Sequence, residues 1–557
     1  MYIRKDDTRL GDATPSPFSQ DCQDQVRRKN AEKRRRVAVV GGGFAGLMAA
    51  RSLGQFGFDV TVFEARERVG GRVSSNREFS EGRITEEGAE LIGSFHTTWL
   101  ALAREYGLTM ISRMDSRLYE QAGLNVKLSL GRDLTMDEIV KLEKEMRKRV
   151  LEPMARDASQ IADPSRPWLF PSLRLLDSTR VSDALEKRYR VKPTELLWKM
   201  LEFRLVNDEV APLDKMNFLG LLCKVRAGQR LKFRYEDDDD KKTRLMRYWD
   251  ELEIFRCADG CEALAKRMVD HIQSKGFQDA HRSTVKVVVK TAVTHIDLSQ
   301  SKGPGIWLEF KKVIDQQHEK LAAGQPDRDH FDYVILASPP SVWSALLVSP
   351  NAWHPKNEIG LMGMDPAVKF FTDVKERFWI KRGDAPSGGS STLGQVWEGT
   401  DNQTRIVGRI RNRRGGVLDM KQGIVLSVFA GPILPGGRTP EPVDCIKELT
   451  RLYPDYPSNR NETRYSNWPA EPFIKTGYAS PRLGDIFDIG RKLNEPFHDL
   501  LFFAGEHTRM DLFGYMEGAL CSGDRAAKLL MGHLCGIRLG PVTMAASGPP
   551  IKKGTAA

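Results

Sequence analysis

The chain is poor in cysteine and has no long hydrophobic run. Its 557 residues hold seven cysteines, an odd number scattered from Cys22 to Cys535. Scatter and parity exclude a disulfide framework of the secreted kind, so free thiols in a cytoplasmic protein are the expectation. The close pair Cys257 and Cys261, in "CADGC", has no second Cys or His pair nearby, and no metal site is expected. No apolar run reaches the roughly 18 to 20 residues that span a bilayer. The first 35 residues are polar and lack the apolar core of a secretory signal. The last residues, "IKKGTAA", carry no targeting or lipidation pattern. Internal repeats, a long linker and a second glycine fingerprint are also absent.

What is there is ordinary for a globular protein: 40% apolar and 29% charged residues. The length is too great for one core, so roughly two or three domains are expected. The net charge is +11, and part of it is local. "RRKNAEKRRR", Arg27 to Arg36, is either a solvated tail or a segment for nucleic acid, membrane or import. A second run, "EDDDDKK" at Glu236 to Lys242, reads as an exposed loop.

Chemistry first shows in "VAVVGGGFAGLMAARSLGQFGFDVTVFEARERVGGRV", Val37 to Val73. Val37 to Val40 has the pattern of a strand buried on both faces. Gly41, Gly43 and Gly46 follow as G-x-G-x-x-G. They supply a tight turn, a close backbone approach to a pyrophosphate, and close helix–strand packing. A helix over about Ala45 to Gln55 would aim its amino terminus at the phosphates, with Gly57 as its stop. Asp59 to Ala65 reads as the second strand. Glu64, 18 residues past Gly46, stands where an acid binds a ribose hydroxyl pair. Together these features predict a dinucleotide site. Gly70–Gly71–Arg72 then selects the dinucleotide. An extended flavin nucleotide runs on past the helix, where an Arg can neutralise its pyrophosphate.

"GGGFAG…FEARERVGGRV" resembles the amino-terminal signature of the flavin-containing amine oxidases, a family with monoamine, polyamine and L-amino-acid branches. Three distant segments carry the same resemblance. "LLFFAGEHTRMDLFGYMEGALCSGDRAAKLL", Leu500 to Leu530, looks like the family's carboxyl-terminal flavin segment. "AVKFFTDVKERFW", Ala367 to Trp379, looks like the strand that carries a lysine near flavin N5. "FDYVILASPPSVW" looks like the strand and turn where the chain leaves the flavin domain.

The resemblance implies non-covalent FAD, since Gly477 is followed by Tyr478 and Ala479 rather than by a tethering cysteine. It implies cofactor contacts from Gly41, Gly43, Phe44, Ala45, Gly46, Glu64, Ala65, Arg66, Gly71, Arg72, Val293, Gly505, Glu506, Tyr515 and Met516. Lys369 and Tyr515 take the catalytic positions: the lysine holds a water against N5, and the tyrosine is one aromatic wall for the substrate. Glu90, Leu91, Tyr478 and Tyr515 line the substrate side. Leu91 stands where the L-amino-acid branch has a carboxylate-clamping arginine; Arg204 is the substitute considered. Glu90 either attracts an ammonium or belongs to a structural network. The second aromatic wall is not in its usual place, Trp468 reads as a core or flavin-edge aromatic, and His96 receives no catalytic role.

The implied fold is α/β, or α+β: a discontinuous Rossmann-like FAD-binding domain with a mixed-sheet and helical substrate domain. The FAD domain takes residues 36–120, 255–345 and 475–535, and the substrate domain 121–254 and 346–474. Residues 1–35 and 536–557 are expected to be disordered tails. In the helical insertion, "TMDEIVKLEKEM" shows a Thr cap with acids in the first turn. The implied activity is oxidative deamination of an amine or an L-amino acid by O2, with hydrogen peroxide as product. A flavin desaturase or dehydrogenase, or a histone-demethylase-like oxidase using its basic tail, are the alternatives. Neither a nucleic acid partner nor a membrane span is expected; a homodimer is left open.

Overall fold

The computed structural model describes residues 20–80, 83–113, 123–231, 241–301, 303–401 and 423–536. At its centre is a five-stranded parallel sheet. Its order is Leu501–Phe503, Tyr333–Leu336, Arg36–Val40, Asp59–Phe63, Thr284–Val288. The strand Arg36–Val40 runs mid-sheet with Val37, Ala38 and Val39 fully buried, as its β-branched run requires. The fingerprint helix is Phe44–Gly54, and Gly57 takes φ +80 just beyond its end. The carboxyl-terminal helix Met516–Leu534 packs along this helix. A Cβ on Gly523 would collide with the Ala45 carbonyl, so that contact needs glycine.

A second sheet has six strands, ordered Arg460–Asn467, Val368–Val374, Ile424–Ala430, Gly394–Glu398, Asp384–Ser390, Asn125–Ser129. Its pairs are antiparallel except the last. The described residues between 123 and 254 are mostly helical, including Met136–Met146, Leu196–Glu209, Phe218–Arg230 and Lys241–Glu251. The helix Met136–Met146 starts on a capping box, Thr135 with Glu138. A further sheet built on Thr291–Asp297 and Ile306–Asp315 lies beside the central one.

The amino-terminal expectation needs correction for its described part. Gln20–Glu32 is a helix, not a disordered tail. Val26 is fully buried, Asn30 donates to the Phe56 carbonyl at 2.9 Å, and Lys29 donates to the Leu534 carbonyl at 2.7 Å. Arg27 also lies over the Phe56 ring at 4.9 Å. The basic run thus docks on the ends of two helices through amide, ammonium and aromatic contacts that charge counting does not reveal. Residues 1–19, 537–557 and the acidic core of "EDDDDKK" lie outside the described residues. Among the described residues, no helix is long and apolar enough to cross a membrane.

Candidate active site

One cavity of about 450 Å³ runs from the fingerprint turn to the helical insertion. At the fingerprint end, Gly41 has φ +112, and a Cβ there would press on the Ala337–Ser338 backbone at 3.2–3.3 Å. The helix after it starts at Gly43 with no side-chain cap, so its first N–H groups are open to an anion. Gly46 does not line the cavity. A Cβ there would collide with the Gly41 carbonyl, so its role is close packing.

Glu64 ends the second strand and lines the cavity. Its Oε2 accepts from Gly42 N at 2.7 Å and its Oε1 from Arg66 N at 2.8 Å. Burial pushes its carboxyl up, against those two N–H groups. Each oxygen keeps a lone pair for a ribose hydroxyl. Arg66 itself departs from expectation: it does not line the cavity, and its guanidinium pairs with Glu471 at 2.7 Å. Arg72 does line it, and donates to Glu506 Oε1 at 2.7 Å and the Gly477 carbonyl at 2.9 Å. Burial would push the Glu506 carboxyl up, but Arg72, His507 and the Gly514 N–H hold it below its ordinary value. Phe44, Ala45, Ala65, Gly71, Val293, Gly505 and Met516 line the same cavity. A glycine-gated turn, an uncapped helix start, a positioned acid and an arginine are the parts a flavin dinucleotide needs.

Further along lies a saturated charge network. Lys369, on the strand Val368–Val374, donates to the Glu86 carbonyl at 2.7 Å, the Gly88 carbonyl at 3.2 Å and Glu90 Oε2 at 2.7 Å. An ammonium has three N–H donors, and all three are used. The expected water-holding lysine therefore has no donor left for a water. Glu90 also meets Arg256 Nε at 2.7 Å and accepts from Trp397 Nε1 at 3.3 Å. Burial alone would raise its carboxyl, but Lys369 and Arg256 hold it down at about 2. Its charge is matched inside the protein, so the expectation that Glu90 draws in an ammonium gives way to the network reading. The cause is tertiary: Lys369 and Arg256 arrive from distant strands. Trp468 is buried in the cavity wall and donates to the Glu87 carbonyl at 2.9 Å.

The far end is the substrate side. Tyr515 and Tyr478 both line it, and the Tyr478 ring lies so close to Gly514 that a Cβ there would sit 2.9 Å away. The two tyrosines, whose pairing the linear order obscured, thus come to one chamber. Tyr515 Oη is 3.0 Å from Tyr248 Oη, which donates to Glu209 Oε1 at 3.1 Å. Lys224 pairs with Glu209 at 2.8 Å and lies over the Tyr515 ring at 4.1 Å. His96 lines the chamber, 5.1 Å from Tyr515 between ring centroids. Its Nδ1 accepts from Gly93 N at 3.1 Å, which leaves the proton on Nε2. Burial, with Lys224 adding, pulls its pKa down to about 3, so it stays neutral. Leu91 lines the wall, whereas Arg204 does not. Arg204 donates to the Trp249 carbonyl at 3.1 Å and makes no carboxylate clamp in the chamber.

Asn207, Asp208 and Glu253 also line the cavity, and sequence reading missed all three. A signal was present. "VNDEV" puts two acids in the last turn of Leu196–Glu209, where the helix dipole disfavours negative charge and the turn itself holds no basic residue. Val210 then takes φ +48, a left-handed conformation costly for a β-branched residue. Such local conflict often marks a functional segment.

Residues 44–531 match the family model of flavin containing amine oxidoreductases. The chain is 23% identical to amine oxidase [flavin-containing] B of Canis lupus familiaris, over 89% of this chain and 86% of that protein. It is equally 23% identical to amine oxidase [flavin-containing] A of Sus scrofa, over 92% and 87%. Among solved structures it resembles a putrescine oxidase bound to putrescine, with TM-score 0.66, 20% identity and coverage of 89% and 98%. It also resembles a cyclohexylamine oxidase from Brevibacterium oxydans, with TM-score 0.66, 18% identity and coverage of 90% and 99%. With the phosphate turn, the ribose acid and the tyrosine chamber joined in one cavity, and the match running through most of the chain, this protein belongs to the flavin-containing amine oxidoreductases and uses FAD.

Proposed function

We propose that the protein is a soluble oxidase of amines. It converts an amine, O2 and water to an oxo product, ammonia or a smaller amine, and hydrogen peroxide. The bound flavin supplies the hydride acceptor for the carbon that bears the nitrogen. The chain's own residues do the rest. Tyr515 and Tyr478 offer apolar faces that strip water from the substrate and favour its neutral amine. The neutral His96 adds no charge against that form. The observation that carries an amine over an amino acid is the charge of the chamber. Acceptors line its far end, Leu91 replaces the clamp, and Arg72, the arginine in the cavity wall, is tied to Glu506.

FAD is held without a covalent bond in this reading, because no cysteine among the described residues lines the cavity. The purified protein should be yellow, and acid precipitation should leave the flavin in solution; flavin in the pellet refutes the non-covalent reading. Peroxide release on a panel of amines and α-amino acids tests the substrate. Amines are expected to give it, and release with amino acids alone would overturn the assignment.

A further inference from the structure

Tyr515, in the chamber wall, is held from behind by three helices of the insertion. Lys224, on Phe218–Arg230, is fully buried and does not line the cavity. Its ammonium pairs at 2.8 Å with Glu209, the last residue of Leu196–Glu209. It also lies 4.1 Å from the centre of the Tyr515 ring and 4.5 Å from that of Phe513. Tyr515 does line the cavity, so the cation covers the face of the ring turned away from the chamber. The hydroxyl end of the ring is fixed as well. Tyr248, on Lys241–Glu251, gives its one proton to Glu209 at 3.1 Å, so Tyr515 is the donor in the 3.0 Å contact between the two hydroxyls. The bonds close a circuit: Tyr515 to Tyr248, Tyr248 to Glu209, Glu209 to Lys224, and Lys224 back to the Tyr515 ring.

A buried ion pair adds little net stability over well-packed apolar side chains, so the informative feature is where its charge sits. The face of a tyrosine ring is negative and attracts cations. A cation already behind the ring draws on those electrons and repels a second positive charge in front. Buried surroundings screen that repulsion poorly. Glu209 offsets it incompletely, because the carboxylate reaches the ring through two hydroxyls while the ammonium lies over its face. His96 feels the same field. It lines the chamber beside Tyr515, and Lys224 adds to the burial that keeps it neutral.

We infer that Lys224, Glu209 and Tyr248 are positioning residues that act on the substrate through Tyr515: they fix its ring, and Lys224 makes the chamber face of that ring a poor site for an ammonium, so that the neutral amine is the form selected. This deepens the amine-oxidase reading and rests on it, because there Tyr515 is a wall for the reacting nitrogen. A tyrosine wall without the lysine would hold the protonated amine, whose nitrogen lacks the lone pair that an imine requires.

The test uses choline, a permanent cation, and neohexyl alcohol, its uncharged carbon isostere. Both are titrated into the flavin-loaded protein and followed by the flavin absorption spectrum. The ratio of their affinities separates charge from shape, and Asp208 and Glu253 are unchanged in every variant. Lys224→Met should raise the choline-to-alcohol affinity ratio by about fivefold or more. Glu209→Gln, which leaves the lysine without its counter-charge, should lower it by about threefold or more. Two variants that break one ion pair thus move the ratio in opposite directions, whereas a merely structural role would move both the same way. Flavin content and melting temperature establish which variants fold. If either single variant does not, the double variant Lys224→Met with Glu209→Gln decides, since it leaves neither charge unpaired; it should raise the ratio by about threefold. An unchanged ratio in Lys224→Met or in the double variant, or shifts of the same sign in the two single variants, overturns the inference. Peroxide release from amines is a separate readout. If it fails while the ratios move as expected, the effect of Lys224 on Tyr515 stands and the amine-oxidase reading falls.

Discussion

Glu90 and Asp208 are both buried acids in the wall of one cavity, and they are in opposite states. Glu90 lies between Lys369 and Arg256 at 2.7 Å each, which holds its carboxyl at about 2. Asp208 has one long hydrogen bond, and burial together with Glu253 pushes its carboxyl up to about 7. The comparison separates structural charge from available charge. A buried acid with two matched cations holds elements together and has nothing to offer a ligand. A buried acid lacking them is costly to the empty protein and attractive to a cation.

The comparison breaks most clearly in stability. Glu90→Gln removes the counter-charge that Lys369 and Arg256 share, while Arg256 keeps Asp401, and should lower the unfolding free energy by about 3–5 kcal/mol. Equilibrium denaturation measures it, and a loss below about 1 kcal/mol would make the network dispensable.

Asp208→Asn should do the opposite above neutral pH. The folded carboxyl titrates higher than the unfolded one, so between about pH 4 and 7 the folded state holds the extra proton and stability falls as pH rises. The variant lacks that loss. It should exceed the wild type by on the order of 2 kcal/mol at pH 8, with the gap closing toward pH 4. The groups facing Asp208 are Glu253, Arg204, Glu209 and Lys224, and of these Glu253 and Glu209 reinforce the trend. Parallel stability curves for the two proteins would show that Asp208 is paired after all.

The smallest expected effect concerns Lys369→Met. With every donor of the lysine engaged inside the chain, its removal should slow flavin reduction and reoxidation by similar factors, within about threefold of each other. Rapid-mixing traces in which reoxidation alone collapses would show that the lysine exchanges one of these bonds for a water.

Much of the cofactor end was legible because its constraints are local. A tight turn needs Gly41, close helix–strand packing needs Gly46, and an acid must end the second strand, so residue type and spacing carry the information directly. The helix Phe44–Gly54 and the strand Asp59–Phe63 lie within two residues of where periodicity puts them. The amino-terminal helix was not legible, because its charge suggests solvent while its docking depends on Val26, Asn30 and Lys29 meeting distant partners. The substrate end was legible only as separate residues, Glu90, Leu91, Tyr478 and Tyr515, without their mutual arrangement.

By itself the sequence determined a dinucleotide site, its flavin character and the absence of a tethering cysteine after Gly477. Each follows from neighbours within one short stretch, where chain connectivity already fixes geometry. Only the tertiary structure decided which acid is neutralised and which is open. Glu90 meets Lys369 and Arg256 from strands far along the chain, whereas Asp208 is paired only loosely, with Arg204 of its own helix at 3.8 Å. The electrostatics of a buried group depend on every charge within a few ångströms, and those charges are brought there by folding, not by sequence order.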